Sequence, residues 1–404
     1  MSKMNQRNIY ILSFTLVVVM LGFGIIMPII PFYIEKLGAS GMELGMLTAV
    51  SALMQFIFAP LWGTLSDRYG RKPVLLIGVI GYGVTMFLFG LATQLWVLFL
   101  ARALNGILSS ATLPTAMAYV ADNTSADRRG SGMGQLGAAA GVGIILGPGI
   151  GGALAVSSLS TPFFVATGLC VVALLLVWLF LPESHGAEMR SGEARKPVRI
   201  FRLGLIKQVL TGSTGVLMLL TLVVSIGMSS FQGILGLYAL DKFGFTTQQI
   251  GVIWMIVGAV TVVAQGLLTG PLTRRFGEVV VIRLSLAVTA AAFGLMLLAG
   301  AFLPLLLATS LLVLAIALLG PALNALISNR TTLEQGITLG VSNSVTSLGR
   351  ILGPLWAGFI YELNIGFPFL SGSVILVIGF LISLAALTQQ SGQPVPPIGS
   401  PSPE

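Results

Sequence analysis

Apolar blocks of about twenty residues, each closed by a short polar break, recur along the whole chain. About 20 mainly apolar residues are what a helix needs to cross the hydrocarbon core of a bilayer. The blocks predict helices over 9–33, 42–64, 73–93, 96–118, 133–155 and 162–181, then over 212–237, 248–269, 279–300, 303–327, 338–360 and 367–387. This is the pattern of an all-α membrane protein with twelve transmembrane helices. The basic start and apolar run MSKMNQRNIYILSFTLVVVMLGFG also fit a signal peptide. No small-residue cleavage site closes that run, so it reads as a first spanning helix.

The polar breaks carry the charge, and they alternate in sign of occupancy. Counting breaks from the N-terminus, sixteen Lys and Arg fall on one side of the membrane, among them Arg68, Arg71, Lys72, Arg128, Arg129, Arg274 and Arg275. Only Lys36 and Lys242 fall on the other, and Arg102, Arg283 and Arg350 stand within or near helices. Short cytoplasmic loops retain Lys and Arg, so both termini are expected in the cytoplasm. The excess of 21 basic over 13 acidic residues therefore describes topology and points to no nucleic acid. Only 8% of residues are charged and mean hydropathy is +0.98, against roughly 25% charged in a soluble domain. A soluble enzyme is excluded. Cys170 and His185 are the only residues of their types, so neither an internal disulfide nor a His-cluster metal site is expected. No Gly-rich Lys loop for nucleotide is present, and no cofactor is expected.

Residues 182–211 form the longest polar interval and divide the chain into halves, 1–181 and 212–387. The later part of the interval, VRIFRLGLIKQVL, spaces apolar and basic residues as a helix on an anionic membrane face would, though a solvated linker fits as well. The tail 388–404 is Pro-, Ser- and Gly-rich and reads as disordered. The halves resemble each other. Tyr33, Lys36, Gly38 and Gly45 meet Tyr238, Lys242, Gly244 and Gly251, GTLSDRYG at 63–70 meets GPLTRRFG at 270–277, and GPGIGG at 147–152 meets GPLWAG at 353–358. Offsets of 205 to 207 throughout imply a duplicated six-helix unit, with a pseudo-two-fold axis along the membrane normal and a cavity where the halves meet.

Three local patterns carry candidate chemistry. In the break after the second helix, Gly63, Asp67, Arg68, Gly70, Arg71 and Lys72 stand before Pro73. Gly70 suits a tight turn, Pro73 suits a helix start, and Asp67 can accept from helix-terminal N–H groups or pair with an arginine. In the fourth helix, Arg102 lies in an apolar span with Asn105 and Gly106 close behind, and a charge there normally faces a cavity, partner or aqueous path. The fifth helix holds Gly147, Pro148, Gly151 and Gly152, small residues that let backbones approach closely.

Taken together, these segments resemble the major facilitator superfamily, and within it the twelve-helix drug:proton antiporter branch. Over residues 9–387 the chain resembles the NorA- and Bmr-like multidrug exporters of Gram-positive bacteria. The resemblance implies that the loop around Asp67 latches the halves on the cytoplasmic side. It implies a coupling role for Arg102 and export rather than uptake from the helix 5 motif; Asp67 and Asp122, acids close to the spans, are further coupling candidates by position. It also exposes a departure. The related exporters often carry a glutamate after the aromatic in helix 7, where this chain has Phe231-Gln232, and no acid lies deep in any apolar span.

Candidate cavity residues are Gln55, Asn105, Gln135, Phe231, Gln232, Trp254, Asn324 and Asn343, amides to orient a compound and aromatics to contact it. The expected function is efflux of amphipathic drugs (fluoroquinolone-, phenicol- or tetracycline-like) across the bacterial inner membrane by alternating access. Protons are the expected counter-ion, lipids the surroundings, and a monomer the working unit. Without a buried acid, neutral, zwitterionic or weakly acidic compounds fit better than dications. A metabolite or sugar permease, a lipid flippase of the same fold and a non-transporting membrane receptor are the rival readings.

Overall fold

A computed structural model describes residues 6–184, 208–210, 214–331 and 334–387. Most of the 182–211 interval and all of the 388–404 tail lie outside the described residues. The chain folds into α1 (Gln6–Lys36), α2 (Gly41–Tyr69), α3 (Arg71–Leu91), α4 (Leu95–Asn123), α5 (Ala126–Leu154) and α6 (Thr161–Phe180). After the interval come α7 (Gly215–Phe243), α8 (Thr247–Phe276), α9 (Glu278–Leu298), α10 (Phe302–Arg330), α11 (Gln335–Tyr361) and α12 (Phe367–Ala386). A 3₁₀ turn interrupts α4 at Ser109–Ala111, and a π turn interrupts α8 at Ala264–Leu268.

Among the described residues, eleven of these helices are long and apolar enough to cross a membrane. The exception is α11, whose Ser342, Asn343, Ser344, Thr346, Ser347 and Arg350 dilute its apolar content. Its polar residues have a destination, described below. Large apolar side chains such as Leu298, Leu267 and Trp178 are exposed on the outside of the bundle, as a lipid-facing surface requires.

The helices begin and end where local chemistry dictates. Ser40 and Glu43 form a reciprocal capping box at the start of α2, and Thr246 and Gln249 form the same device at the start of α8. Gly38 and Gly244 precede these caps with φ of +64° and +65°, a left-handed conformation that costs glycine little. The Tyr33 hydroxyl donates to the Phe89 carbonyl at 3.2 Å, and the Tyr238 hydroxyl donates to the Met296 carbonyl at 3.1 Å. Each pair of features recurs at the offset already visible in the sequence.

Inside each half the tightest helix pair is built on small residues. A Cβ placed on Gly147 would collide with the Leu21 carbonyl oxygen of α1, and one on Gly151 would lie 2.9 Å from the Ile25 Cα. Gly353 stands in the same relation to α7, 2.6 Å from the Ile226 carbonyl oxygen. Without hydrophobic exclusion to drive helix association in lipid, such backbone contact is a main source of packing energy. Gly147→Val is therefore expected to cost about 1–3 kcal/mol of overpacking and to lower the thermal unfolding midpoint of the purified protein. Gly168→Val, at a position where an added Cβ meets open space, is the control and should leave the midpoint unchanged.

Candidate functional site

Contacts between the halves are concentrated at one end of the bundle, here called the Gly41 end. A Cβ on Gly45 of α2 would strike the Pro354 carbonyl oxygen of α11, and one on Gly251 of α8 would lie 2.6 Å from the Pro148 carbonyl oxygen of α5. Gly358 of α11 meets the Gly41 carbonyl oxygen at 2.5 Å on the same measure, and Gly152 of α5 meets that of Thr247. Two hydrogen bonds reinforce the closure. The Met42 amide donates to Glu362 Oε1 at 3.0 Å, and Thr247 Oγ1 donates to the Gly152 carbonyl at 3.0 Å. Further along the same four helices, an added Cβ on Gly63, Gly137, Gly266 or Gly340 would meet nothing within 4 Å. The halves converge at the Gly41 end and separate toward the Asp67 end.

The separation leaves a cavity of about 580 Å³ walled by α1, α2, α3, α4, α7 and α11. Its floor near the closed end includes Pro31, Leu44, Gly236 and Pro354, and Pro60, Pro114 and Gly340 border it toward the other. Met20, Phe23, Met27, Phe56 and Leu113 supply apolar wall. Of the sequence candidates, Gln55, Arg102, Asn105, Gln232 and Asn343 all line it. The polar face of α11 is turned into this space through Asn343, Ser344, Thr346, Ser347 and Arg350, which is why that helix is the least apolar. Not one Asp or Glu is among the lining residues.

The structure does not bring the remaining candidates to the wall. Phe231 follows the helical turn away from its neighbour Gln232 and is buried against Trp254, with ring centroids 5.7 Å apart, and against Phe293 at 6.4 Å. Both aromatics belong to the core of the second half. Gln135 and Asn324 are exposed but outside the cavity. Sequence reasoning missed Arg350, although an arginine within an apolar helix was itself the signal.

The Asp67 end holds a charged cluster. Arg71 is buried, and its Nη1 lies 2.6 Å from Asp67 Oδ1 while its Nε lies 2.8 Å from Asp122 Oδ2. Nη1 also donates to Ser66 Oγ at 2.9 Å. The Arg71 and Lys72 amides donate to the two carboxylate oxygens of Glu183, at 2.9 and 3.2 Å, so Glu183 caps the start of α3. Lys72 Nζ donates to the Trp178 carbonyl at 2.8 Å at the end of α6. Gly70 makes the sharp turn between α2 and α3 with φ of +107°, and Arg68 lies over the Tyr69 ring. Apart from Glu183, which stands at the start of the interval between the halves, every one of these groups belongs to the first half. The cluster links Asp67 to Asp122 through Arg71, and Arg102 is not part of it. The role of Glu183 was not foreseen, because a cap reaching across 112 residues leaves no local trace.

The helix 5 motif acquires a physical meaning from its two faces. Gly147, Gly151 and the Pro148 ring press on α1, and the Pro148 carbonyl and Gly152 press on α8 of the other half. One short segment therefore sets both the packing inside a half and the closure between halves.

Comparison with known proteins agrees with this architecture. The model of the Major Facilitator Superfamily matches residues 12–278 and 217–403. "Multidrug resistance protein 2" of Bacillus subtilis is 32% identical over 380 residues, which is 94% of this chain and 95% of that protein. "Quinolone resistance protein NorA" of Staphylococcus aureus is 28% identical over 379 residues, 94% of this chain and 96% of its own. Among solved structures, a bacterial homolog of the human lysosomal transporter Spinster, in an inward-facing and occupied conformation, superposes with a TM-score of 0.76 at 16% identity, over 94% of this chain and 96% of that one. The helical bundle, the cavity between its halves and the match over nearly the whole chain lead to one conclusion: this chain is a multi-pass membrane transporter belonging to the Major Facilitator Superfamily, of the multidrug-resistance type.

Proposed function

We propose that the protein exports small amphipathic compounds from the bacterial cytoplasm by alternating access, in exchange for protons. The observation that carries this reading is the cavity itself, sealed at the Gly41 end and open toward Asp67. With the basic breaks on the cytoplasmic side, the Asp67 end and both termini face the cytoplasm, and the structure is the inward-open state. Two six-helix units related by a pseudo-two-fold axis, 1–181 and 212–387, rock about the cavity. The twin capping boxes, twin tyrosine bonds and paired glycine contacts at a steady offset support that duplication.

Alternation requires that the contacts of one end be exchanged for contacts at the other. At the Gly41 end these are backbone contacts through glycine, together with Glu362 on the N-terminus of α2, where a carboxylate is favoured by the helix dipole. At the Asp67 end, closure would bring the second half against the loop containing Gly63, Asp67, Arg68, Gly70, Arg71 and Lys72. Asp67 is half-exposed, and its pairing with Arg71 presents it at that surface. Asp67 and Asp122 share Arg71, so protonation of either carboxylate would alter the cluster without any acid in the cavity. The multidrug and quinolone resistance of the relatives named above agrees with an apolar cavity carrying a few orienting amides.

The deciding experiment places purified protein in liposomes, imposes a proton gradient, and follows drug movement and lumenal pH together. Drug accumulation against its gradient with opposite proton movement supports the proposal, and movement of drug only down its gradient overturns the antiport part. Asp67→Asn is expected to reduce turnover at least several-fold with little change in substrate affinity, checked by transport rate against equilibrium binding. Gln232→Ala should change the order of preference among chemically different drugs, read from a panel of efflux rates. Glu362→Ala removes a helix-terminal charge interaction of about 0.3–1 kcal/mol. It should raise the population opened at the Gly41 end, seen as longer distances between spin labels placed across that end.

A further inference from the structure

Three arginines stand inside the helical bundle, and they are satisfied differently. Arg283 of α9 donates to the Ser383 carbonyl at 3.2 Å and to that of Leu387, closing the last turn of α12. Arg102 and Arg350 make no such bonds and no ion pair among the described residues. Both line the cavity, one from each half, on α4 and α11. Arg102 is 7% exposed, its Nε–H has no partner, and its guanidinium lies over the Phe89 ring at 5.8 Å. The Tyr82 hydroxyl, on the same cavity wall, is also buried without a partner.

Buried without a counter-charge, Arg102 is costly, and its unpaired N–H and the unpaired Tyr82 O–H add to that cost, whereas Arg350 is exposed to the cavity. The lining holds no Asp or Glu to offset two guanidinium charges, while its amides and hydroxyls are neutral. What the cavity lacks is an acceptor bearing negative charge. Guanidinium groups match a carboxylate in geometry as well as charge. Met20, Phe23, Met27 and Phe56 offer apolar surface in the same space for an attached hydrocarbon or ring body.

We propose that Arg102 and Arg350, assisted by Tyr82, form an anion site, and that the compounds carried are amphipathic organic carboxylates. This rests on the cavity being the substrate site, and it narrows the substrate class of that site. An organic anion brings the missing negative charge with it, so loading offsets one of the cavity's two positive charges. A permanent cation meets two like charges and no acid. Sharing the anion between α4 and α11 gives the substrate one contact on each half, which is where a compound must act to influence rocking.

The test uses the full-length protein in nanodiscs of neutral phosphatidylcholine at pH 7. The probes are radiolabelled naphthylhexanoate and its primary amide, equal in shape and different in charge. The carboxylate is expected to bind about tenfold more tightly than the amide, as charge-assisted hydrogen bonds warrant. Arg350→Gln and Arg102→Gln should each bring the affinity ratio close to one, and Arg350→Lys should retain most of it. Arg102 is packed and its variant can fail to fold, whereas the Arg350 side chain is accessible and its two variants carry the test alone. Equal affinity for the two probes, or a ratio unmoved in Arg350→Gln, overturns the inference. Displacement of the carboxylate by a few mole per cent of anionic lipid in the disc assigns the arginines to a headgroup and also overturns it. Failure of both probes to bind overturns the substrate-site reading and this inference with it. Binding of the amide without preference for the carboxylate overturns this inference alone.

Discussion

Close approach of helix backbones at the Gly41 end is the constraint on which the rest depends. Lipid offers no hydrophobic drive for two helices to associate, so the halves are held where their backbones can touch. Gly45, Gly152, Gly251 and Gly358 each place the absence of a side chain against a carbonyl of the opposite half. The helices that meet there are α2, α5, α8 and α11, and the same helices part toward Asp67. Rigid helices that touch at one end and part at the other leave a wedge, and of these four helices α2 and α11 border the cavity, with α1, α3, α4 and α7 completing its wall. Its polar residues are tolerated because they face this space and not hydrocarbon.

The two ends use different chemistry. The Gly41 end is closed by shape, with Glu362 and Thr247 adding single hydrogen bonds across the halves. The Asp67 end is built from charge, with Arg71 held between two carboxylates and Glu183 holding the start of α3. Shape contacts are short-ranged and fail once the helices part, whereas charged groups remain hydrated and ready when exposed. That contrast suits the proposed alternating access, in which one seal breaks as the other forms. The cavity has arginines and amides, and the carboxylates lie at the ends.

The described structure also explains features that look arbitrary in isolation. Low hydropathy in α11 follows from its turning a row of hydroxyls, an amide and an arginine toward the cavity. The GPxxGG segment of α5 serves two interfaces at once, which is why glycine stands on more than one face of that helix. Arg283 is bound by the carbonyls ending α12, so an arginine inside a membrane helix is here a cap in one case and a cavity group in two others.

Much of this was legible in the sequence. The apolar blocks located every long helix, because a bilayer fixes the length and polarity of a spanning helix, but they missed polar ends by up to seven residues, at the start of α5 and the end of α8. The steady offset seen in the sequence recurs in the matching caps of α2 and α8. Gln55, Arg102, Asn105, Gln232 and Asn343 were recognisable as polar residues in apolar spans. Rotation about each helix axis was not legible, because neighbouring positions differ by about 100° and only packing selects the inward one. That is why Phe231 and Trp254 went to the core while Gln232 reached the cavity, and why Asn324 and Gln135 stayed outside it. The sequence by itself determined that the chain crosses the membrane repeatedly and where its charges concentrate. Only the tertiary structure decided which end is shut, that Arg71 and not Arg102 joins Asp67 to Asp122, and that Arg350 faces Arg102's cavity, because each depends on contacts between helices far apart in the chain.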